Sequence, residues 1–256
     1  MAPRIMAPRA LRAGDSCIVV EFGNSIDMEI NARVQALRER IEKNPFRGFI
    51  ETVPTYRSLA VCFNPLIAPD DLDKLLLGLA EHMEDTKNAE SEKSAEKGKS
   101  KRKLLVVPAC YEGEFAPDIE KVAAHTGLST DEIIRRHSAN DCYCYMLGFV
   151  PGFPYLGGMD PSLETPRLKE PREKIPGGSV GIAGKQTGIY PIDSPGGWNL
   201  IGQTPLRMFD PARTPAIFME AGMWMRFTPI SAAEFESIAS IAARPDWKPD
   251  IREEAV

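Results

Sequence analysis

Hydrophobic and polar positions alternate in short bursts near the start of the chain and then switch to a helical rhythm. Ser16 to Phe22 (SCIVVEF) is a β-rich run that ends at Gly23 and predicts a strand. Ile26, Ile30, Val34, Leu37 and Ile41 then recur at intervals that place them on one helix face. Asn24 is positioned to cap that helix, with Asp27 and Glu29 in the first turn and Arg38, Arg40 and Lys43 in the last, as the helix dipole favours. Phe49 to Val53 and Leu59 to Phe63 predict two strands joined around Pro54 to Ser58. A second helix is expected from about Pro69, burying Leu72, Leu75, Leu76, Leu79 and Met83. This β-α-β-β-α pattern packs one sheet face under two helices and defines an N-terminal α/β subdomain over residues 15–86.

The pattern then lapses. Lys87 to Lys103 holds six lysines, one arginine and three glutamates with no large apolar residue, so it reads as a charged, solvated linker. Residues 1–14, with three arginines and two prolines, read as a disordered extension. Leu104 to Ala109 resumes as a strand, Pro117 opens a helix that stops near Gly127, and Ser129 with Glu132 caps another that reaches about His137. From Gly148 to Pro205 lie twelve of the chain's 20 glycines and nine of its 22 prolines, which rules out long helices and favours short strands rolled into a barrel. Ala216 to Met219 and Met223 to Thr228 look like closing strands. Ser231 with Glu234 caps a last helix presenting Phe235, Ile238 and Ile241. The second domain is thus expected over residues 104–243, with a loose tail over 244–256, and the fold class is α+β.

Composition narrows the function. Of 256 residues, 43% are hydrophobic and 26% charged, and the formal charge of -5 argues against nucleic acid or an anionic membrane as the partner. No apolar run approaches the roughly 20 residues a membrane span needs, and the arginine-rich start lacks a secretory apolar core, so a cytoplasmic location is expected. Five scattered cysteines do not form a disulfide framework. Cys142 and Cys144 share one strand face without the spacing of a zinc pair, and no metal site is expected.

Motif by motif, the chemistry is sparse. Gly177-Gly178-Ser179-Val180-Gly181 fits G-x-S-x-G, but no helix follows and all three histidines (His82, His125, His137) precede the serine, so a glycine-rich turn is the better reading. Gly184-Lys185 and Gly98-Lys99-Ser100 miss the P-loop spacing. His137 sits where a helix ends, a position open to a structural cap or a catalyst. Arg167, Arg172, Lys174 and Lys185 stand among glycines and prolines, an arrangement that suits either an anion site or a docking surface.

Three strings are long and unusual: GFVPGFPYL (148–156), IPGGSVGIAGKQTGIYP (175–191) and SPGGWNLIGQTP (194–205). They resemble the signature of the KipI or allophanate-hydrolase-subunit-1 family, also described as carboxyltransferase subdomain C/D, which takes in the B subunits of bacterial ATP-dependent 5-oxoprolinases. The resemblance runs from about Ser16 to Pro229; the charged linker and both termini fall outside it. It implies an N-terminal α/β subdomain followed by a cyclophilin-like β-barrel, and partners in the form of a related C-type subunit and an A-type subunit. The implied reaction is hydrolysis of the small-molecule amide 5-oxo-L-proline to L-glutamate, coupled to ATP cleavage in the assembled complex. Such chemistry needs donors for phosphate and oxyanion charge and a base for water.

By residue type and motif membership, the catalytic candidates are His137, Arg172, Ser179 and Tyr190. Candidates for substrate or partner contact are Gly152, Phe153, Tyr155, Arg167, Gly178, Gln186, Thr187, Ser194, Gly196, Gly197 and Trp198, with main-chain amides around Gly177 to Gly184 as anion donors. Within the family two alternatives stand: a urea- or allophanate-directed subunit that takes biotin from a partner, and a histidine-kinase inhibitor of the KipI type.

Overall fold

In a computed structural model, residues 5–81, 101–244 and 247–255 are described, and the chain divides into two units, Met1–Lys99 and Ser100–Val256. The first unit carries β1 (Ile5–Arg12), β2 (Cys17–Gly23), α1 (Met28–Lys43), β3 (Phe49–Pro54), β4 (Ser58–Phe63) and α2, described over 72–81. Its antiparallel sheet runs β1-β2-β4-β3. Alternation does the sorting: Ile18, Val20 and Phe22 of β2 and Leu59, Val61 and Phe63 of β4 point to one face. There they meet Ile30, Val34, Leu37 and Ile41 of α1 and Leu72, Leu76 and Ala80 of α2.

Three expectations fail in this unit, the first being the burial of Leu75 on α2, which is 42% exposed, while Met83 lies outside the described residues. Asp27, not Asn24, caps α1, because its carboxylate accepts the Glu29 and Ile30 amides; Ile26 lies outside the helix and is exposed. Nor is the first stretch disordered, since Ile5–Arg12 pairs with β2, tied by the Arg9–Glu21 ion pair at 2.6 Å and by Arg33 donating to the Met6 carbonyl at 3.2 Å.

The second unit carries β5 (Lys101–Cys110), α3 (Ile119–Thr126), α4 (Thr130–Ala139), β6 (Cys142–Leu147), β7 (Pro154–Gly157), β8 (Arg172–Ile175), β9 (Ser179–Ala183) and β10 (Gln186–Ile189). It continues with β11 (Ser194–Gly196), β12 (Asn199–Gln203), β13 (Trp224–Ile230), α5 (Ala232–Ala242) and β14 (Asp250–Ala255). Among the described residues seven strands close a barrel in the order β12-β9-β10-β7-β6-β13-β5, the ring completed where Gln203 of β12 meets Cys110 of β5. The α+β class with a barrel is therefore as expected.

Inside the barrel, Leu105, Val107, Cys142, Cys144, Leu156, Val180, Ile182, Ile189, Ile201, Met225 and Phe227 form one core with Val122 of α3 and Ile133 of α4. Gly127 closes α3 with φ of 72°, and Ser231 with Glu234 forms a full capping box on α5. Cys142 and Cys144 are buried, and desolvation pushes both thiols up to about 12, so they act as small apolar side chains.

The ends of this unit differ from the expectation. Lys101 to Lys103 belong to β5 rather than to a linker, whose remaining residues, 87–100, lie outside the described set. The tail is not loose, because β14 pairs with β5, with Lys101 to Glu253 at 2.9 Å and Arg102 to Glu254 at 2.8 Å across the strands. Ala216 to Met219 is not a strand; Ile217 makes a single bridge to Phe209.

Candidate functional site

The pleat of the barrel wall decides which candidates can meet. On β10, Thr187 and Ile189 point into the barrel, while Gly188 turns outward together with Tyr190 just beyond the strand's end. On the outer face Phe153, Ala183, Tyr190, Trp198 and Leu200 gather beneath Ile175 of the β8–β11 ribbon. Phe153 is the hub: its ring stands edge-on to Trp198 at 5.4 Å, Tyr190 at 5.3 Å, Tyr155 at 5.3 Å and Phe149 at 5.6 Å.

These rings wall a cavity of about 290 Å³, lined by Phe149, Phe153, Tyr155, Arg167, Pro171, Tyr190, Pro195, Gly196, Gly197 and Trp198. Glycine is required at two of the close approaches. A Cβ on Gly196 would land on the Tyr190 hydroxyl, and one on Gly188 would press within 3.2 Å of the Trp198 ring.

Burial pushes the Tyr190 phenol up to about 12, against weaker opposing pulls from the Trp198 main-chain amide, Arg167 and Arg172. Tyr190 is therefore protonated throughout the neutral range and works as a hydrogen-bond donor, not as a base. Arg167 stands exposed at the cavity and makes no ion pair among the described residues. A cation beside aromatic walls with no carboxylate opposite suits a small anionic ligand carrying a flat ring.

Seven of the sequence-derived candidates thus come together: Phe153, Tyr155, Arg167, Tyr190, Gly196, Gly197 and Trp198. The others are placed elsewhere. His137 is buried inside the barrel, where Tyr111 Oη meets Nδ1 at 2.8 Å and Nε2 meets Thr187 Oγ1 at 2.7 Å. Thr187 in turn donates to the Gly181 carbonyl at 3.2 Å, which makes Nε2 the protonated nitrogen and Nδ1 the acceptor. Desolvation drives His137 down to about 3. With both nitrogens bonded, His137 sits as a neutral side chain in the core, and Thr187 is its hydrogen-bond partner there.

Arg172 is held outside the aromatic cavity's lining by an ion pair. Its Nη2 pairs with Asp118 Oδ1 at 2.7 Å, its Nη1 reaches the Trp198 carbonyl at 3.4 Å, and Asp118 Oδ2 accepts the Leu200 amide at 2.7 Å. The expected anion nest around Gly177 to Gly184 is already occupied. The Gly177 amide donates to Asp193 at 2.9 Å, Gly178 to the Tyr190 carbonyl at 2.7 Å, Ser179 to Pro176 at 3.2 Å and Gly184 to Thr165 at 2.7 Å. Ser179 is buried at the start of β9 with no helix after it. Gly178, at φ of 87°, lines a second and shallower cavity of about 440 Å³ beside Gln203, Arg207 and Phe235. Gly152 sits in a turn against Phe209 and Ile217; Ser194 is buried on β11 and Gln186 half-buried on β10, and neither lines the aromatic cavity.

Sequence reasoning missed Phe149, Pro171 and Pro195 in the lining. Phe149 is 60% exposed and holds a left-handed φ of 65°, an uncommon state for a bulky residue, with a tight loop around it fixed by the Gly148 amide on the Phe153 carbonyl at 3.1 Å. Only its place inside the GFVPGFPYL string pointed to it.

Comparison with known proteins adds a second line of observation. Residues 8–219 match the carboxyltransferase domain family, subdomain C and D. The chain is 42% identical to the B subunit of 5-oxoprolinase from Bacillus subtilis (strain 168) over 227 residues, covering 88% of this chain and 93% of that protein. It is 36% identical to the B subunit of 5-oxoprolinase from Escherichia coli O157:H7, covering 86% of this chain and 95% of that protein. Among solved structures, TTHA0988 superposes with a TM-score of 0.71 at 33% identity over 84% of this chain, which spans 40% of that longer chain. The Kluyveromyces lactis urea amidolyase gives a TM-score of 0.75 at 20% identity, covering 97% of this chain and 16% of that one, a likeness of fold. Among the described residues no helix is long and apolar enough to cross a membrane.

Proposed function

The chain belongs to the carboxyltransferase domain family, subdomains C and D, and from that membership we propose that it serves as the B subunit of an ATP-dependent 5-oxoprolinase, working with A-type and C-type subunits. The observation that carries this reading is the 42% identity to the B subunit of a 5-oxoprolinase over nearly the full length of both proteins. The cavity supports it. An oxoproline is a five-membered lactam bearing a carboxylate, which matches a ring slot between Phe153, Tyr155 and Trp198 with Arg167 at its mouth.

An unstrained amide resists water until its oxygen is phosphorylated, and that is why the reaction consumes ATP. In this reading the chain binds and orients: Arg167 holds the carboxylate, the rings fix the lactam plane, and the Tyr190 hydroxyl offers a proton-bearing donor to the substrate. No histidine or carboxylate is among the residues lining the cavity, so the base for water belongs to a partner subunit. Neither cavity gathers the clustered cations or helix start that a triphosphate calls for, and no ATP step is assigned to this chain.

The test is reconstitution. Mixing this chain with A-type and C-type subunits should give glutamate formation and phosphate release that depend on 5-oxoproline and on all three components. Full coupled turnover by this chain alone, or a complete mixture that works on urea and ignores 5-oxoproline, would overturn the proposal.

A further inference from the structure

Two cysteines that the proposed reaction leaves unused lie directly opposite each other in the first unit. Cys17 of β2 is paired with Cys62 of β4 in an unbroken antiparallel register that continues to Glu21 opposite Ser58. The Phe63 amide donates to the Ser16 carbonyl at 2.9 Å and the Phe22 amide to the Arg57 carbonyl at 3.0 Å, which marks Ser16/Phe63 and Phe22/Arg57 as hydrogen-bonded pairs. Such pairs alternate along an antiparallel ladder, so Cys17 and Cys62 occupy a non-hydrogen-bonded pair, the closer kind, with Cα atoms about 4.5 Å apart. That separation lies at the short end of the range, about 4.4 to 6.8 Å, that a disulfide spans.

Both side chains project from the face of the sheet opposite Ile18, Val20 and Phe22, and both are half-buried rather than sealed. The Cys17 thiol lies within hydrogen-bonding reach of Cys62. Desolvation first, then Cys17, then Glu51 on the neighbouring strand β3 raise the Cys62 thiol, which slows its attack without blocking it. The other three cysteines are buried.

The geometry points to Cys17 and Cys62 as a reversible dithiol site, one that closes to a cross-strand disulfide on reaction with a low-molecular-weight disulfide such as oxidised glutathione. In the first step one protein thiolate attacks a glutathione sulfur, forming a mixed disulfide and releasing one glutathione thiolate. The facing thiolate then attacks the protein sulfur of that mixed disulfide and expels the second glutathione. The two protein thiols lose two electrons, glutathione disulfide gains them, and the two protons end on the released thiols.

The full-length protein should be incubated with oxidised glutathione, alkylated and mapped without reduction. The expected product is an intact mass lower by two hydrogen atoms, with the peptides holding Cys17 and Cys62 linked and Cys110, Cys142 and Cys144 alkylated only after unfolding. Dithiothreitol should reverse the link. Cys62→Ser should trap Cys17, and Cys17→Ser should trap Cys62, as stable glutathione adducts, because the resolving thiol is gone. Lasting glutathione adducts on both cysteines of the wild type, linkage to any other cysteine, or two thiols that stay free after such treatment would each overturn the assignment.

Discussion

Replacing Arg172 by alanine should weaken the fold far more than the chemistry. The guanidinium lies between Asp118, at 2.7 Å, and the Trp198 carbonyl, at 3.4 Å, and ties the N-terminal cap of α3 to β8 and to the start of β12. Its side chain is 32% exposed and that of Asp118 is 9% exposed, so the pair falls between a screened surface bridge, at about 0 to 1 kcal/mol, and a charged hydrogen bond to a buried partner, at about 1.5 to 3 kcal/mol. Asp118 keeps the Leu200 amide at 2.7 Å, which spares it full isolation. A loss of about 1.5 to 2.5 kcal/mol is expected, which for a unit of this size lowers Tm by roughly 3 to 10 °C. The assay is thermal unfolding of the isolated subunit for Arg172→Ala, Asp118→Asn and the double variant, where coupling between the two should recover most of the loss. Turnover of the reconstituted complex, measured well below the transition, should fall by less than about tenfold. An unchanged Tm with activity reduced a hundredfold or more would refute this reasoning and return Arg172 to the substrate.

Two further outcomes follow from the same structure. Burial holds His137 down to about 3 in the fold against its ordinary 6.5, so between these values the unfolded chain takes up a proton that the folded chain refuses; stability is whole above about pH 6.5 and declines as pH falls towards 3. His137→Gln should flatten the slope of Tm between about pH 6.5 and 5.5, and an identical slope would show that other groups carry it. Phe149→Gly should change stability by less than about 1 kcal/mol, because glycine accepts the left-handed backbone, yet it should raise the KM for 5-oxoproline by opening one wall of the cavity. A large fall in Tm with unchanged KM would make Phe149 a structural residue only.

What the sequence disclosed and what it hid follow a physical division. Alternating β2 and β4, the α1 stripe and the Ser231 cap were legible because each is a local pattern buried by its own periodicity. Strands β1 and β14 were not. IMAPRALR and DIREEA carry prolines or charges that look like solvated ends, and their pairing rests on cross-strand partners far along the chain, Glu21 for Arg9 and Lys101 and Arg102 for Glu253 and Glu254. The aromatic and glycine positions of the cavity stood out in the motif strings, and Arg167 stood out as a cation in the proline-rich stretch between them. Roles were harder to read: His137 and Tyr190 looked equivalent as proton carriers until the barrel wall placed one inside, with both nitrogens bonded, and the other on the outer face beside a cavity. The amides of the glycine-rich turn looked free for the same reason, since only tertiary pairing shows that Asp193, Tyr190, Pro176 and Thr165 already accept from them.

The central claim is that the outer-face cavity receives the carboxylate-bearing lactam at Arg167, and steady-state kinetics of the reconstituted complex with Arg167→Ala test it most directly. A charge-assisted hydrogen bond of about 1.5 to 3 kcal/mol predicts a rise in KM for 5-oxoproline of roughly 10- to 100-fold. Because Arg167 makes no ion pair among the described residues, Tm should stay within about 1 °C of the unsubstituted chain. A normal KM with the complex intact would contradict the claim and place substrate recognition on another subunit.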